Sequence, residues 1–467
     1  MRDFTKDSVP VHVLLTAGPI ALAMCVQLTY QLIDLYFVSE LGAAAIAGVH
    51  AAGNVVLLVH ALTQALTVGT LALVSQAIGR KHADDANLAF NQALLLSLLC
   101  GVLIATLMLA LGQSYLRSLT SDGATIEAGV QFIYWVLPGF VLMLPMALLS
   151  CALRASGVVR APVTAYVTTV LINALLAPVL ISGWLTEAPL GVQGAGLATS
   201  LSVVVGVILL GMRFRHLQPY LRLQLAGLRP QPARWRRIFQ VGLPSGAEFV
   251  LSFIVTATAY YALNRFGPSV QAGFGIGSRV LQVVLVPALA VATAAGPIVG
   301  QNVGARNLKR IRDTTYSALL LGAAVMLAVA LLLQQQAATL AALFPADPTA
   351  IDVAAKFLVL MAWTVIPQGL INTCLCVFQG LGNTIPALLT SSTRLATFIL
   401  PVLWLTLQPT FTLERVWHLL IASILLQAVT AGWLLRVELA KQAQALAPDS
   451  FQIMAKFAGR GMQRPRR

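Results

Sequence analysis

The chain has 467 residues, of which 58% are hydrophobic and only 10% are charged, and its mean hydropathy is +0.83. A soluble protein of this length could not bury so much apolar surface, so the composition predicts a membrane protein that crosses the bilayer many times. The formal net charge of +14 would suggest nucleic-acid binding in a soluble chain, but here the basic residues are expected in loops at the lipid surface, and no nucleic-acid partner is predicted.

Twelve apolar segments are long enough to cross the bilayer, which takes about 20 helical residues at a rise of about 1.5 Å each. Their length and uniform apolarity exclude barrel strands and predict helices. The first six spans are predicted near residues 13–38, 46–78, 88–112, 127–149, 161–183 and 193–212. The second six are predicted near residues 238–263, 270–300, 314–336, 351–378, 386–406 and 415–436. The predicted fold class is therefore an all-α membrane protein.

The loops differ in charge from one side of the predicted membrane to the other. The two ends of the chain and the loops after even-numbered spans hold 24 Lys and Arg residues, whereas the other loops hold four. Because cytoplasmic loops carry an excess of Lys and Arg, both termini are predicted to be cytoplasmic, in a multi-pass protein of the inner (plasma) membrane.

The two halves of the chain repeat at a constant offset of 225 residues. Pairs at this offset include Pro19 with Pro244, Gly42 with Gly267, Gln76 with Gln301, and Gly157 with Gly382. Six spans per repeat is an even number, so the repeat predicts two pseudo-symmetric six-helix lobes that face each other across a central cavity, with alternating access as the expected mechanism. The predicted segments are a first lobe over 1–212, a basic cytoplasmic linker over 213–237, a second lobe over 238–437 and a basic cytoplasmic tail over 438–467.

The first span carries a polar stripe that includes an acid. Gln27, Tyr30, Gln31 and Asp34 recur at spacings of three and four, which places them on one face of a helix. A lipid-facing carboxylate at depth is costly, so this face is expected to look onto protein or a water-filled cavity. The alternative is that Asp34 is an ordinary interfacial acid near the end of the helix.

Glu248 and Arg279 are charged residues within spans of the second half. Counted at about 1.5 Å per residue, both fall near mid-depth, so a structural Glu248–Arg279 ion pair and a coupling role for Glu248 are both open. Arg394 in the eleventh span is expected to be structural. The polar residues assigned to the substrate cavity are Gln27, Tyr30, Gln31, Glu248, Ser252, Thr256, Gln368 and Asn372.

The chain shows no pattern typical of an enzyme or a metal centre. Its five cysteines lie in or at the ends of apolar spans, where they are expected to pack as small apolar side chains. No cluster of histidines and acids and no activated nucleophile is found, so no catalytic residue, cofactor or metal is predicted.

Four motifs in combination resemble the multidrug and toxic compound extrusion (MATE) family. They are GLPSGAE in the seventh span, AGFGIGSRV in the eighth, PIVGQNVGARN after it and FQGLGNTIP after the tenth. The resemblance implies a secondary transporter, expected here as a monomer in the lipid bilayer, that exports organic and often cationic compounds in exchange for protons or sodium. Within the family the chain looks closer to the DinF-like branch, whose coupling site lies in the first lobe.

The resemblance also implies the coupling residues. Asp34 in LIDLYFVSELG resembles the coupling aspartate of that branch, and Asn173 in LINALLAP and Thr199 in GAGLATS resemble two of its companions. The second acid of that branch, four residues after the asparagine, is Ala177 here. Because sodium prefers several oxygen ligands with carboxylate charge, whereas protonation needs one carboxylate, the proton is favoured as the coupling ion.

The predicted function is export of cationic or amphipathic small molecules (multidrug efflux) in exchange for protons. The alternatives are sodium-coupled export and a flippase for lipid-linked substrates of the related superfamily, which would need a basic cavity to hold phosphate. A membrane-embedded enzyme is the alternative from another class, and it lacks a catalytic constellation in this sequence.

Overall fold

The computed structural model describes residues 3–39, 41–184, 189–214, 221–224, 227, 229–409 and 411–446. Within these ranges the regular structure is helical throughout. Twelve helical segments are long and apolar enough to cross a membrane. The predicted fold class and the predicted number of spans are confirmed.

The first lobe has one continuous helix for each span. These are α1 (Val9–Ser39), α2 (Ala43–Gly79), α3 (Ala83–Leu119), α4 (Gly123–Ala155), α5 (Arg160–Ile181) and α6 (Val192–Phe214). Several helices run beyond the apolar segments because polar residues stabilise their ends. At the start of α4, for example, the backbone N–H of Thr125 donates a hydrogen bond of 3.0 Å to the Asp122 carboxylate, which satisfies one otherwise unpaired group of the first turn.

The second lobe has three continuous spans and three that are divided into shorter helices. In the described residues these are α7 (Pro232–Leu263), α8 (Pro268–Val284), α9 (Val286–Gly304), α10 (Leu308–Ala341), α11 (Pro348–Met361), α12 (Val365–Leu381), α13 (Ile385–Arg394), α14 (Leu400–Thr406) and α15 (Leu413–Leu446). The predicted span 270–300 thus corresponds to α8 and α9, and the predicted span 351–378 to α11 and α12.

Three spans of the second lobe are interrupted, each just before a proline. The interruptions lie at Leu285, at the 3-10 turn Ala362–Thr364 and at the π-helical turn Leu395–Ile399. The prolines that follow are Pro287, Pro367 and Pro401. Proline has no N–H to donate and its ring crowds the carbonyl four residues earlier, so the helical hydrogen-bond ladder is lost in the turn before it.

The repeat found in the sequence extends to the backbone conformation. Six of the nine residues with positive φ in the described chain form pairs at the offset of 225, namely Gly42 and Gly267 (94° and 92°), Lys81 and Arg306 (60° and 56°), and Gly157 and Gly382 (79° and 77°). A non-glycine residue with positive φ is uncommon, so the pair of Lys81 and Arg306 shows that the same turn is built at the same place in both halves.

The segment between the lobes is attached to the first lobe. Of the predicted linker 213–237, the structure assigns the first residues to α6 and the residues from Pro232 to α7. The side chain of Asn91 on α3 donates to the carbonyl of Arg222 (2.8 Å), and that of Gln92 donates to the carbonyl of Gly227 (2.7 Å). At the other boundary α15 continues to Leu446, and the remainder of the predicted tail, 447–467, lies outside the described residues.

The two lobes interlock through their first helices. The start of α1 packs into a core of the second lobe, where Val13 and Ile20 cluster with Ile298 of α9 and Phe378 of α12. On the other side α2 packs against α7, and a Cβ added at Gly242 would lie 1.7 Å from the carbonyl oxygen of Ala65. Because α7 is the repeat of α1, and α8 with α9 the repeat of α2, the two contacts are related by the pseudo-twofold axis.

Candidate functional site

A cavity of about 330 Å³ lies between the lobes. Its polar lining comes from both lobes, with Gln64, Thr67, Cys151 and Arg154 from the first and Glu248, Thr293, Asn372, Cys376 and Gln379 from the second. At the offset of 225, Cys151 corresponds to Cys376 and Arg154 to Gln379. The cavity therefore lies on the pseudo-twofold axis, where both halves contribute equivalent positions.

Glu248 brings a carboxylate to this cavity from α7. Its Oε1 accepts hydrogen bonds from the hydroxyls of Ser252 and Ser391, both at 3.3 Å. Ser391 in turn accepts a bond of 3.5 Å from the side chain of Gln427 on α15. A short polar chain across α7, α13 and α15 thus holds the carboxylate on the inner face of the second lobe.

The structure does not form the predicted Glu248–Arg279 pair. Glu248 takes its hydrogen bonds from serines, and the salt bridges found among the described residues do not include either side chain. Arg279 is exposed on α8, because Gly277 of the same helix packs against the Phe357 ring of α11. At about 100° per residue, Arg279 points roughly 200° away from that packed face.

Arg154 lines the cavity, although the sequence predicts it to be one of the basic residues of the loops. It occupies the last turn of α4, and its Nε is buried without a hydrogen-bond partner in the part of the chain that the structure describes. The signal that could have found it is the repeat, because its counterpart Gln379 is a polar residue directly after the predicted tenth span and lies inside helix α12. The cavity therefore holds a guanidinium as well as a carboxylate.

The residues predicted to share one substrate cavity are divided between two. Glu248 and Asn372 line the interlobe cavity, whereas Thr256 and Gln368 line a smaller cavity of about 140 Å³ inside the second lobe. Ser252 is exposed and reaches the first cavity only through its bond to Glu248.

The polar stripe of the first span is only partly described. Gln27 on α1 is partly buried, and Met24, one turn earlier, lines the interlobe cavity. The side chains of Tyr30, Gln31 and Asp34 lie outside the described residues, although all three positions belong to α1.

Asn173 and Thr199 are brought together in the first lobe. The Asn173 side chain donates to the Thr199 hydroxyl at 3.4 Å and is 2% exposed, and its Oδ1 is buried without a partner among the described side chains. Ala177 lies one turn further along α5 and is 1% exposed. Phe37, one turn after Asp34 on α1, packs against the cluster that contains Ala177, so α1 brings the turn of Asp34 to this part of the lobe.

Two glutamines join the lobes at the end of the cavity nearest the chain termini. Gln76 on α2 donates to the carbonyl of Gly380 at 3.2 Å, and Gln301 on α9 donates to the carbonyl of Ala155 at 2.8 Å. Both the donors and the acceptors are pairs at the offset of 225, so one bond is the pseudo-symmetric copy of the other. We call this arrangement of Gln76, Gly380, Gln301 and Ala155 the glutamine latch.

The latch depends on a close approach of two backbones. A Cβ added at Gly79 would lie 1.9 Å from the carbonyl oxygen of Gln301, and one added at Gly304 would lie 2.0 Å from that of Gln76. Real Cβ atoms do not approach so closely, so only glycine allows α2 and α9 to cross here. The lobes are therefore closed together on the side of the chain termini.

The chain was compared with known families and proteins. The MatE family model matches it twice, at residues 19–179 and 244–405, which together make up more than half of the chain. The two matches begin at Pro19 and Pro244, the same pair that defines the repeat.

Relatives of similar length were found. The FAD transporter of Shewanella oneidensis is 26% identical over 80% of this chain and 83% of its own length. The probable multidrug resistance protein NorM of Thermotoga maritima is 26% identical over 80% of this chain and 81% of its own length. A MOP superfamily transporter from Pyrococcus furiosus, described as having a binding pocket of reverse polarity, shares the fold with a TM-score of 0.86 at 24% identity, over 94% of this chain and 98% of that one. The chain belongs to the MATE family of multidrug efflux transporters, and it is a transporter rather than an enzyme.

Proposed function

We propose that the protein is a secondary antiporter that exports cationic or amphipathic small molecules in exchange for protons. The observation that carries the proposal is the cavity on the pseudo-twofold axis, which both lobes line and which the glutamine latch closes on the side of the chain termini. A binding site at the interface of two structural repeats is the arrangement expected for alternating access.

The glutamine latch has to separate when the cavity opens on the side of the chain termini. It consists of two hydrogen bonds and a backbone crossing, and an ion pair of 2.7 Å between Arg234 on α7 and Asp85 on α3 also joins the two lobes. Neutral hydrogen bonds contribute about 0.5–1.5 kcal/mol each, so breaking the two bonds of the latch requires only a modest differential binding energy. Rocking of the second lobe would break both bonds together, because they are symmetric about the same axis.

The coupling site is proposed in the first lobe, at Asp34 with Asn173 and Thr199. The unpartnered Oδ1 of Asn173 is a buried acceptor, and a protonated carboxyl is a donor that could satisfy it. A carboxylate could not do so, because it has only acceptor atoms. With Ala177 in place of the second acid of the DinF-like branch, the site has only one carboxylate, which favours a proton over sodium.

The sidedness follows from the charge distribution. The latch lies on the side of the chain termini, where the basic loops are concentrated. By the positive-inside rule this side is cytoplasmic, so the described state is closed to the cytoplasm. The proposed location is the inner membrane, and the proposed oligomeric state is a monomer.

Arg154 favours a second class of substrate. A cavity with a guanidinium beside a carboxylate suits compounds that carry phosphate or carboxylate groups as well as cations. The relative from Shewanella oneidensis is named as an FAD transporter, and FAD is an amphipathic dianion. Export of such a flavin nucleotide is therefore the candidate to test beside a lipophilic cation.

The test is transport by purified protein in liposomes. Ethidium and FAD are each supplied on the cytoplasmic side, under an imposed proton gradient or an imposed sodium gradient of equal size. We expect movement of at least one probe under the proton gradient alone. Movement driven by sodium alone would reassign the coupling ion, and movement of neither probe under either gradient would contradict the proposed function.

A further inference from the structure

The smaller cavity of about 140 Å³ lies within the second lobe and is distinct from the interlobe cavity. Its walls come from α7, α8, α11, α12, α13 and α15 and are mainly apolar, with Val255, Phe274, Phe357 and Met361 among them. One charged side chain, Arg394, enters this lining.

Arg394 lacks a counter-ion among the described residues. It ends α13, directly before the π-helical turn, and its Nε is buried without a hydrogen-bond partner. No carboxylate belongs to the lining described above, and the four salt bridges found in the described chain lie elsewhere. Glu248 is held by Ser391, one turn earlier on α13, and faces the other cavity.

A guanidinium in such a place is costly unless its charge is neutralised or hydrated. Structural arginines inside membrane proteins are normally paired with an acid or with backbone carbonyls. Arg394 is therefore an unusual residue to keep at the wall of a cavity, and its charge is available to a ligand.

The cavity also offers neutral donors. Ser278 and Gln368 line it and make no hydrogen bond with a described residue, so the Ser278 hydroxyl and the Gln368 amide are free to donate. Thr256 and Thr364 line it as well, but their hydroxyls already donate to the carbonyls of Ser252 and Met361. One cationic donor and two neutral donors thus face an otherwise apolar space.

We propose that this cavity binds a compact anionic group, a halide or a carboxylate, through Arg394, with Ser278 and Gln368 as additional donors. The volume suits a small anion with its nearest waters, or the acid group of a larger molecule whose remainder lies outside this cavity. The anion is either a free ion or the acid group of a transported molecule, and only the second source rests on the proposed function.

Binding is measured on the full-length protein in detergent, without any gradient, so a failure of transport does not affect the result. In one arm, thermal unfolding is followed in chloride, acetate or gluconate at equal ionic strength and pH. In the other arm, fluorescence anisotropy compares tetramethylrhodamine, which has a free carboxylate, with its methyl ester. The variant is Arg394→Gln, and the control is Arg265→Gln, which removes the same charge from an exposed site of the same lobe.

Saturable stabilisation by chloride and acetate over gluconate, kept in Arg265→Gln and lost in Arg394→Gln, is expected for a free anion. Tighter binding of the acid than of the ester, by about 10- to 100-fold and lost in Arg394→Gln, is expected for the acid group of a substrate. If Arg394→Gln does not fold, Gln368→Leu keeps every charge and should weaken the same response. Absence of both responses in the wild type, or their persistence in Arg394→Gln, would overturn the proposal.

Discussion

Glu248 lies in the interlobe cavity, and its hydrogen bonds to two serines predict a small contribution to stability. Glutamine keeps one acceptor oxygen and removes a buried charge, so Glu248→Gln should change the free energy of unfolding by less than about 1 kcal/mol. Arg279→Gln should be similarly mild, since that side chain is exposed. The double variant should equal the sum of the single ones within about 0.5 kcal/mol.

A double-mutant cycle of Glu248→Gln and Arg279→Gln, measured by thermal unfolding, decides whether the two residues form an ion pair. If Glu248→Gln lost about 3–5 kcal/mol and Arg279→Gln restored most of it, the two residues would form an ion pair that the structure does not contain.

The same two residues show which part of a site can be predicted from a sequence. Depth along a helix follows from a constant rise, and it is the basis on which Glu248 and Arg279 were both placed near mid-depth. The direction in which a side chain points around the helix axis is set by packing, here by the contact of Gly277 with Phe357. This direction cannot be obtained by counting residues in the sequence. The position of Arg154 in the cavity could not be predicted for a related reason. In the sequence, a basic residue in the last turn of a span cannot be distinguished from a loop residue, and only the packing of the helices places its side chain in the cavity.

Helices α2 and α9 cross at the glutamine latch, and glycine is required at the crossing. Gly79→Ala should therefore destabilise the state that is closed on the side of the termini, by about 1–3 kcal/mol. Amide hydrogen exchange should become faster around residues 76–80 and 300–305, because the latch opens more often.

Gly53→Ala is the matched control, since a Cβ added at Gly53 of the same helix meets no described atom within 4 Å. Alanine at an unhindered helical position is favourable by about 0.5–1 kcal/mol, so this variant should be neutral or more stable. Equal behaviour of the two variants would mean that the crossing does not limit the closed state.

The segment before α1 is held by α10 of the other lobe. Arg310 donates to the carbonyl oxygens of Phe4 (3.0 Å), Lys6 (2.7 Å) and Asp7 (2.9 Å). Arg310→Ala should release residues 3–8 and accelerate their amide exchange by about tenfold or more, since each 1.4 kcal/mol is a factor of ten.

The neighbouring exposed residue gives the control, because Lys309→Ala removes the same charge without those three bonds. Exchange at residues 3–8 that rises equally in both variants would indicate a general electrostatic effect instead of specific bonds.

Elements were predictable wherever one residue pattern dominates. Apolar length predicted each membrane span, yet it did not predict that three spans of the second lobe are interrupted, although a proline follows each interruption. First-lobe helices such as α4 and α5 also contain prolines and are continuous, so the residue alone does not decide. Neighbouring helices determine whether the freed carbonyl finds another partner.

For the whole molecule, the repeat was the strongest prediction. The offset of 225 residues appears again in the left-handed turns, in the two bonds of the latch and in the two matches of the family model. A gene-level repeat of six spans leaves few arrangements other than two facing lobes. The repeat does not predict the positions at which the two lobes differ. At four such positions one half has a charged residue and the other has an uncharged one, namely at Asp34, Glu248, Arg154 and Arg394.

We propose that Asp34 couples proton movement to export, and the substitution Asp34→Asn is the decisive test of this role. Asparagine has the shape of a protonated aspartic acid and can donate a hydrogen bond, but it cannot release a proton. The control is Asp352→Asn, at an exposed acid of α11 that is paired with Lys356 at 2.7 Å.

The measurement is transport of one established substrate in liposomes, first under a proton gradient and then as exchange without any gradient. We expect that Asp34→Asn loses gradient-driven transport, retains exchange and no longer depends on pH, while Asp352→Asn behaves like the wild type. Wild-type accumulation by Asp34→Asn under a proton gradient would exclude Asp34 as the coupling residue.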